Sequence, residues 1–364
     1  MADRIERAKQ AFIHRDFDLA IAEYTRAARE LPDAQAFVAY SNRGAALMNT
    51  GKVKDAIKCF RKALELNSEH YESMHNMGVA FAAMKQYDKA LECFEKTLEY
   101  APYFYASYCG KSEALACLGR FDEAVDAAKD GIQEDPNEPI AHADLGFAYL
   151  KLGRFEEAVK AYERAHVLKD RSAETARLHA VALSEHALTC ERNKDLATAV
   201  EMLLKSIQKH ETPLALHNLG IIYVRLAQPS KAKTAFGKAL KLDPNYFATN
   251  AALGVLHAQE RLNDLALPFL IKARELNTNH VENLYNLGLV YMKEGNMDDA
   301  QSTFVSLLKI DTSHQDAKLA LQLIKSVQLG AGVGAGAAAL DISSPAPLPP
   351  RASSVRPAAK SRTP

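Results

Sequence analysis

One unit of about 34 residues recurs from residue 1 to about 314, and a chain built this way is constrained to fold by stacking copies of one local motif. Small residues and aromatics return in a fixed order: Ala20, Tyr24, Ala27 and Pro32; then Gly44, Ala56, Phe60 and Ala63; then Gly78, Ala90, Phe94 and Pro102. The order continues through Gly146, Tyr149, Ala158, Tyr162 and Ala165, through Gly220, Tyr223, Ala232, Phe236, Ala239 and Pro244, and through Gly288, Tyr291, Ala300 and Phe304. Proline near the end of a unit stops a helix, because it has no N–H to donate and its ring clashes with the preceding turn.

At unit positions 8, 11, 20, 24, 27 and 32 this order resembles the tetratricopeptide repeat signature. The resemblance implies an all-α fold, an α-solenoid in which about nine helix-turn-helix repeats wind into a right-handed superhelix. Small residues at positions 8 and 20 let the two helices of a unit nest, and the aromatics at 11 and 24 fill the gap to the next unit. A single unit cannot bury this face, so stacking completes the core.

Nine units are expected, at 1–34, 37–70, 71–104, 105–138, 139–172, 180–213, 213–246, 247–280 and 281–314. The pattern weakens in the fourth, at Ser112, Ala128 and Gly131, and in the sixth, at Ala187, Leu203 and Ser206. An insertion at 173–179 precedes the sixth and reads as a longer helix or a loop. Residues 315–328 place Ala317, Leu321 and Ile324 at near-helical spacing, as a capping helix needs. From 329 to 364 the chain is rich in Gly, Ala, Ser and Pro, and is expected to be a disordered basic tail. It carries a bare PxxP at Pro347 and Pro350, and Ser353 and Ser354 beside Arg351.

Composition excludes several classes. With 48% apolar and 25% charged residues and no bilayer-length apolar run, no membrane insertion is expected. The opening MADRIERAKQAF lacks an apolar core, so a secretory signal is not expected. Asp341 against Arg351, Arg356, Lys360 and Arg362 makes the tail +3 and leaves the body at −3, a poor fit to nucleic acid. The five cysteines point to a reducing, cytoplasmic location, with cilium and nucleus left open. Cys59 and Cys93 share unit position 23 and read as small core residues. Cys109 and Cys117 stand eight residues apart, about 12 Å along a helix, too far for one metal or one disulfide. The twelve histidines are scattered, and a solvated or groove-lining position is the default for each. No dinucleotide, P-loop, nucleophile-elbow or HExxH motif occurs, so neither enzyme nor cofactor nor metal site is expected.

Function is therefore sought in the concave groove, which in the resembled family is lined by unit positions 2, 5, 6, 9, 12 and 13. Position 6 carries Asn42, Asn76, Asn218 and Asn286, and in relatives such a ladder bonds the backbone of an extended peptide. Asn is also common at this position for its own sake. Val79, Phe147, Leu150 and Ile221 join Ala82, Gly110 and Ala143 in a wall that suits an amphipathic helix or an apolar extended segment. A register error of one would instead make such residues core. Tyr40-Ser41-Asn42-Arg43 resembles one repeat of the clamp that grips heat-shock protein tails, but Ile5, Lys9, Glu72 and Asn76 stand where its other partners belong, so those tails are not the expected ligand. The expected role is a non-enzymatic adaptor that binds a protein segment. A permanent subunit of a ciliary, trafficking or cell-cycle assembly, and a regulatory subunit of an enzyme acting in trans, are the alternatives.

Overall fold

The computed structural model of the protein describes residues 2–328; the tail at 329–364 lies outside the described residues. The fold is an all-α solenoid, with nineteen helices and no strand among the described residues. It divides into two bodies. The first holds α1 (Ala2–Ile13), α2 (Phe17–Glu30), α3 (Asp33–Asn49), α4 (Val53–Leu66), α5 (Tyr71–Ala83), α6 (Tyr87–Tyr100), α7 (Tyr105–Cys117), α8 (Phe121–Glu134), α9 (Pro139–Lys151) and α10 (Phe155–Val167). Helix α11 (Ala173–Arg192) gives 173–182 to this body and 183–192 to the next. The second continues with α12 (Leu196–Lys209), α13 (Pro213–Arg225), α14 (Pro229–Leu242), α15 (Phe247–Gln259), α16 (Asn263–Leu276), α17 (Val281–Lys293), α18 (Met297–Ile310) and α19 (Gln315–Gln328). The inserted 173–179 is helical and lengthens α11 to 20 residues.

The even-numbered helices from α2 to α18 are amphipathic. In α4 the buried residues are Ala56, Ile57, Cys59, Phe60 and Ala63, a 3-to-4 spacing that presents one stripe to the core. These helices stop for a local reason. Leu31 caps α2 in an extended conformation, φ −83° and ψ 146°, because Pro32 disfavours the helical region for the residue before it.

Each turn from the first to the second helix of a unit closes with one left-handed residue. After α5, the Lys85 amide donates to the Ala82 carbonyl at 2.8 Å and the Gln86 amide to the Phe81 carbonyl at 2.9 Å, which is the Schellman closure. The left-handed residue is Gly51, Gly119, Gly153 or Gly295 in four units, and Lys85, Lys194, Ala227 or Arg261 in others.

Packing between units runs through the position-24 aromatic. A Cβ built on Gly78 would lie 2.8 Å from the Phe94 ring, and one on Gly110 of the next unit 2.6 Å from it. The fully buried ring therefore lies between two helix backbones that only glycine allows so close. Cys59 and Cys93 are buried in the same cluster as Phe60 and Phe94, as small core residues.

Candidate functional site

Helices α5, α7 and α9 begin 34 residues apart, at Tyr71, Tyr105 and Pro139, and lie side by side in the first body. The glycines around Phe94 draw α5 and α7 together. Between them, and against α9, is a cavity of about 280 Å³ whose lining includes His75, Val79, Cys109, Gly110, Glu113, Glu138, Ile140 and Asp144. Two large apolar side chains at its mouth face solvent, Val79 at 40% exposure and Ile140 at 57%.

His75 pins one repeat to the next. Its Nδ1 lies 2.9 Å from Ser107 Oγ, and its ring meets Phe104 edge-on at 5.1 Å and Phe94 at 5.5 Å. Burial holds its pKa down to about 4, so the ring is neutral at physiological pH. His217 repeats the arrangement in the second body, with Nδ1 3.1 Å from Thr249 Oγ1 and a pKa of about 4. His217 is fully buried against Phe236, contrary to the solvated or groove-lining default expected for histidines here, whereas His75 is partly buried against Phe94 and lines the cavity, within that default.

The cavity is acidic. Burial raises the Asp144 carboxyl well above the usual carboxylate range, and the charges of Glu113 and Glu138 raise it further. Glu138 caps α9, where its Oε1 accepts from the Ile140 amide at 3.2 Å, and its charge raises the pKa of the neighbouring Tyr105. Lys111, the nearest cation on α7, is engaged by Glu95 at 3.2 Å. Cys109 is pushed up to about 12, chiefly by burial, so its thiol is unreactive.

The residues singled out in the sequence separate into three groups. Asn76, Val79 and Phe147 are accessible on α5 and α9, and Lys151 Nζ lies 5.1 Å from the Phe147 ring centre. Asn42 is partly exposed on α3. Leu150 is buried at 3%, as are Asn218 at 1%, Ile221 at 6% and Asn286 at 2% in the second body. A ligand reaches those four only if what covers them moves. In α17 all ten residues from Asn283 to Met292 are buried, so no open ladder runs along that helix. His75, Glu113, Glu138, Ile140 and Asp144 were not singled out. Asp144 stands at unit position 6, where the ladder has Asn, and that departure was the available signal.

Among the described residues no group of three candidate metal ligands occurs, and no helix is long and apolar enough to cross a membrane. Tetratricopeptide repeat family models match residues 35–102, 75–139, 118–181, 213–246 and 281–314. No curated protein matches the sequence. Similar solved structures include MamA from AMB-1, 26% identical over 46% of this chain and 95% of that one, with a TM-score of 0.38. They also include a MamA RS-1 ArsTM double mutant, 20% identical over 49% and 95% with a TM-score of 0.41. The APC/C hetero-tetramer Cut9–Hcn1 is 18% identical over 83% and 59%, with a TM-score of 0.38. Five matches spread from residue 35 to residue 314, on a chain of paired helices whose glycines meet the position-24 aromatics, place this protein in the tetratricopeptide repeat family.

Proposed function

We propose that the chain is a non-enzymatic protein-interaction adaptor whose α5–α7–α9 face receives an extended segment of a partner. The general scaffold role is supported by the repeats. The finer reading is supported above all by the cavity between Val79 and Ile140. At about 280 Å³ it lies below the volume of drug-sized pockets and suits one or two inserted side chains rather than the whole face of a helix. Asn76, one turn before Val79, supplies an amide that can both donate to and accept from a peptide backbone.

The test is capture of partners from cell extract by the purified chain, followed by mass spectrometry. Val79→Glu and Phe147→Glu should abolish capture of the main partner, since a charge facing an apolar segment is desolvated without a mate. Asn76→Ala should weaken an extended partner by about 1–3 kcal/mol and scarcely affect a helical one, whose backbone is already bonded. Circular dichroism establishes that the variants keep native helicity. Undiminished capture by both glutamate variants would remove this face from consideration.

A further inference from the structure

We infer that the cavity between α12, α13 and α14 is a second interaction site, and that it receives an acidic protein segment carrying one or two large apolar side chains. The inference does not depend on the α5–α7–α9 face. The cavity measures about 330 Å³, and its lining includes Leu204 of α12, Leu216 and Leu219 of α13, and Lys231, Thr234 and Lys238 of α14. Leu204 is 48% exposed and stands at unit position 25, where units two to five carry Arg61, Glu95, Lys129 and Glu163. It extends to the surface an apolar wall whose inner part, Leu216 and Leu219, is buried. A volume of this size admits one or two side chains rather than a drug-sized ligand.

The same unit positions enclose a cavity of about 380 Å³ between α4, α5 and α6. Its Lys89 and Lys96 correspond to Lys231 and Lys238, and in both cavities the first lysine lies over the position-11 ring, Lys89 over Phe81 at 5.7 Å and Lys231 over Tyr223 at 5.5 Å. Two lining positions differ in charge. Where the α4–α6 cavity has Arg61 and Glu92, the α12–α14 cavity has Leu204 and Thr234. It therefore keeps the two lysines, lacks the carboxylate, and offers an exposed apolar side chain instead.

Charge selects the occupant. Helix α14 carries Lys231, Lys233, Lys238 and Lys241 and no acidic residue, whereas every other even-numbered helix from α2 to α18 has at least one. Lys233 is ion-paired with Glu260 at 2.9 Å, but no carboxylate among the described residues pairs with Lys231 or Lys238. These two lie on one face of α14, two turns and about 10 Å apart, with Thr234 between them. Carboxylates spaced to reach both would flank an apolar side chain set into the cavity, which makes such a segment complementary in charge and in polarity. The exposed lysines fix partner and orientation, while the apolar contact holds the segment in place. An anionic bilayer offers similar charge, but a recess admits a side chain that projects into it, whereas binding to lipid needs apolar groups that project from the protein.

The experiment uses the full chain. A display library of random short peptides is selected on it, and enriched peptides are remade with a fluorophore and titrated at low salt. A class with Leu or Phe flanked by Asp or Glu should be enriched. Leu204→Arg with Thr234→Glu gives this cavity the residues of the α4–α6 one at two exposed positions, so the fold should survive, as circular dichroism checks. That variant should bind the acidic class about tenfold or more weakly. Lys231→Gln with Lys238→Gln should weaken it several-fold and flatten its salt dependence. Val79→Glu, in the first body, should leave it unchanged. The inference is overturned if no acidic class is enriched, or if the Leu204→Arg, Thr234→Glu chain binds that class as well as wild type does. Loss of binding with Val79→Glu also overturns it, by placing the peptide on the α5–α9 face. Phosphatidylserine vesicles form the last arm: vesicle binding that depends on Lys231 and Lys238, with no acidic peptide class, would assign the patch to a membrane surface instead.

Discussion

At Gly146 in α9, a Cβ would lie 2.9 Å from the Tyr162 ring, which is 1% exposed and has no room to retreat. Two effects compete on substitution. Leucine gains up to about 1 kcal/mol over glycine in helix propensity, while forcing side-chain volume between packed helices costs about 1–3 kcal/mol or more. Overpacking should win, and Gly146→Leu should lower the thermal midpoint; an unchanged midpoint would mean that α9 and α10 are not held this closely. This contact was legible in the sequence, because Gly146 and Tyr162 stand at the fixed spacing of sixteen residues that also pairs Gly78 with Phe94. The raised pKa of Asp144 was not, because part of it comes from the charges of Glu113 and Glu138, residues of the preceding unit that no local pattern brings to mind. Leu150, Asn218, Ile221 and Asn286 hold groove positions in the repeat and yet are buried, since position within a unit fixes the direction of a side chain and not what lies over it.

At the scale of elements, the cross-repeat bonds of His75 to Ser107 and of His217 to Thr249 make α5–α7 and α13–α15 contacts sensitive to acid. Both rings have folded-state values of about 4, below the value near 6.5 of an unfolded histidine. Between those two pH values the unfolded chain takes up protons that the folded chain refuses, so stability is full above pH 6.5 and falls as the pH drops toward 4. The loss is roughly 3 kcal/mol for each ring at most. His70 and His257, also lowered by burial, act in the same direction. Asp144 has the opposite sign, since its raised pKa costs stability as the pH rises above the ordinary carboxylate value, so Asp144→Asn should stabilise the chain at pH 7. Urea unfolding midpoints from pH 7.5 to 4.5 check this, and a profile that does not fall over that interval, or one unaltered by His75→Asn, would contradict the assignment. The helix pairs themselves were legible from the small-residue and aromatic spacing. These histidine bonds were not, because they join residues 32 apart, just short of one repeat.

Over the whole molecule, each helix packs mainly on its sequence neighbours, so damage should stay local. The end of the second body gives the sharpest test. Helix α19 buries Ala317, Ala320 and Ile324 completely, in one cluster with Phe304 and Leu307 of α18 and with α17 residues such as Leu287 and Val290. Ile324→Asp places a carboxylate in that cluster without a partner, at a cost of several kcal/mol unless the helix detaches. Detachment is the cheaper course for the last described helix, which packs mainly on α18, and it exposes the apolar face of α18 next. Hydrogen exchange should therefore quicken in α19, α18 and α17, while α5 to α10, in the other body, keep their protection. Uniform loss of protection through both bodies would instead mean that the solenoid unfolds as one cooperative unit, and that the stability of the α5–α9 face depends on its far end.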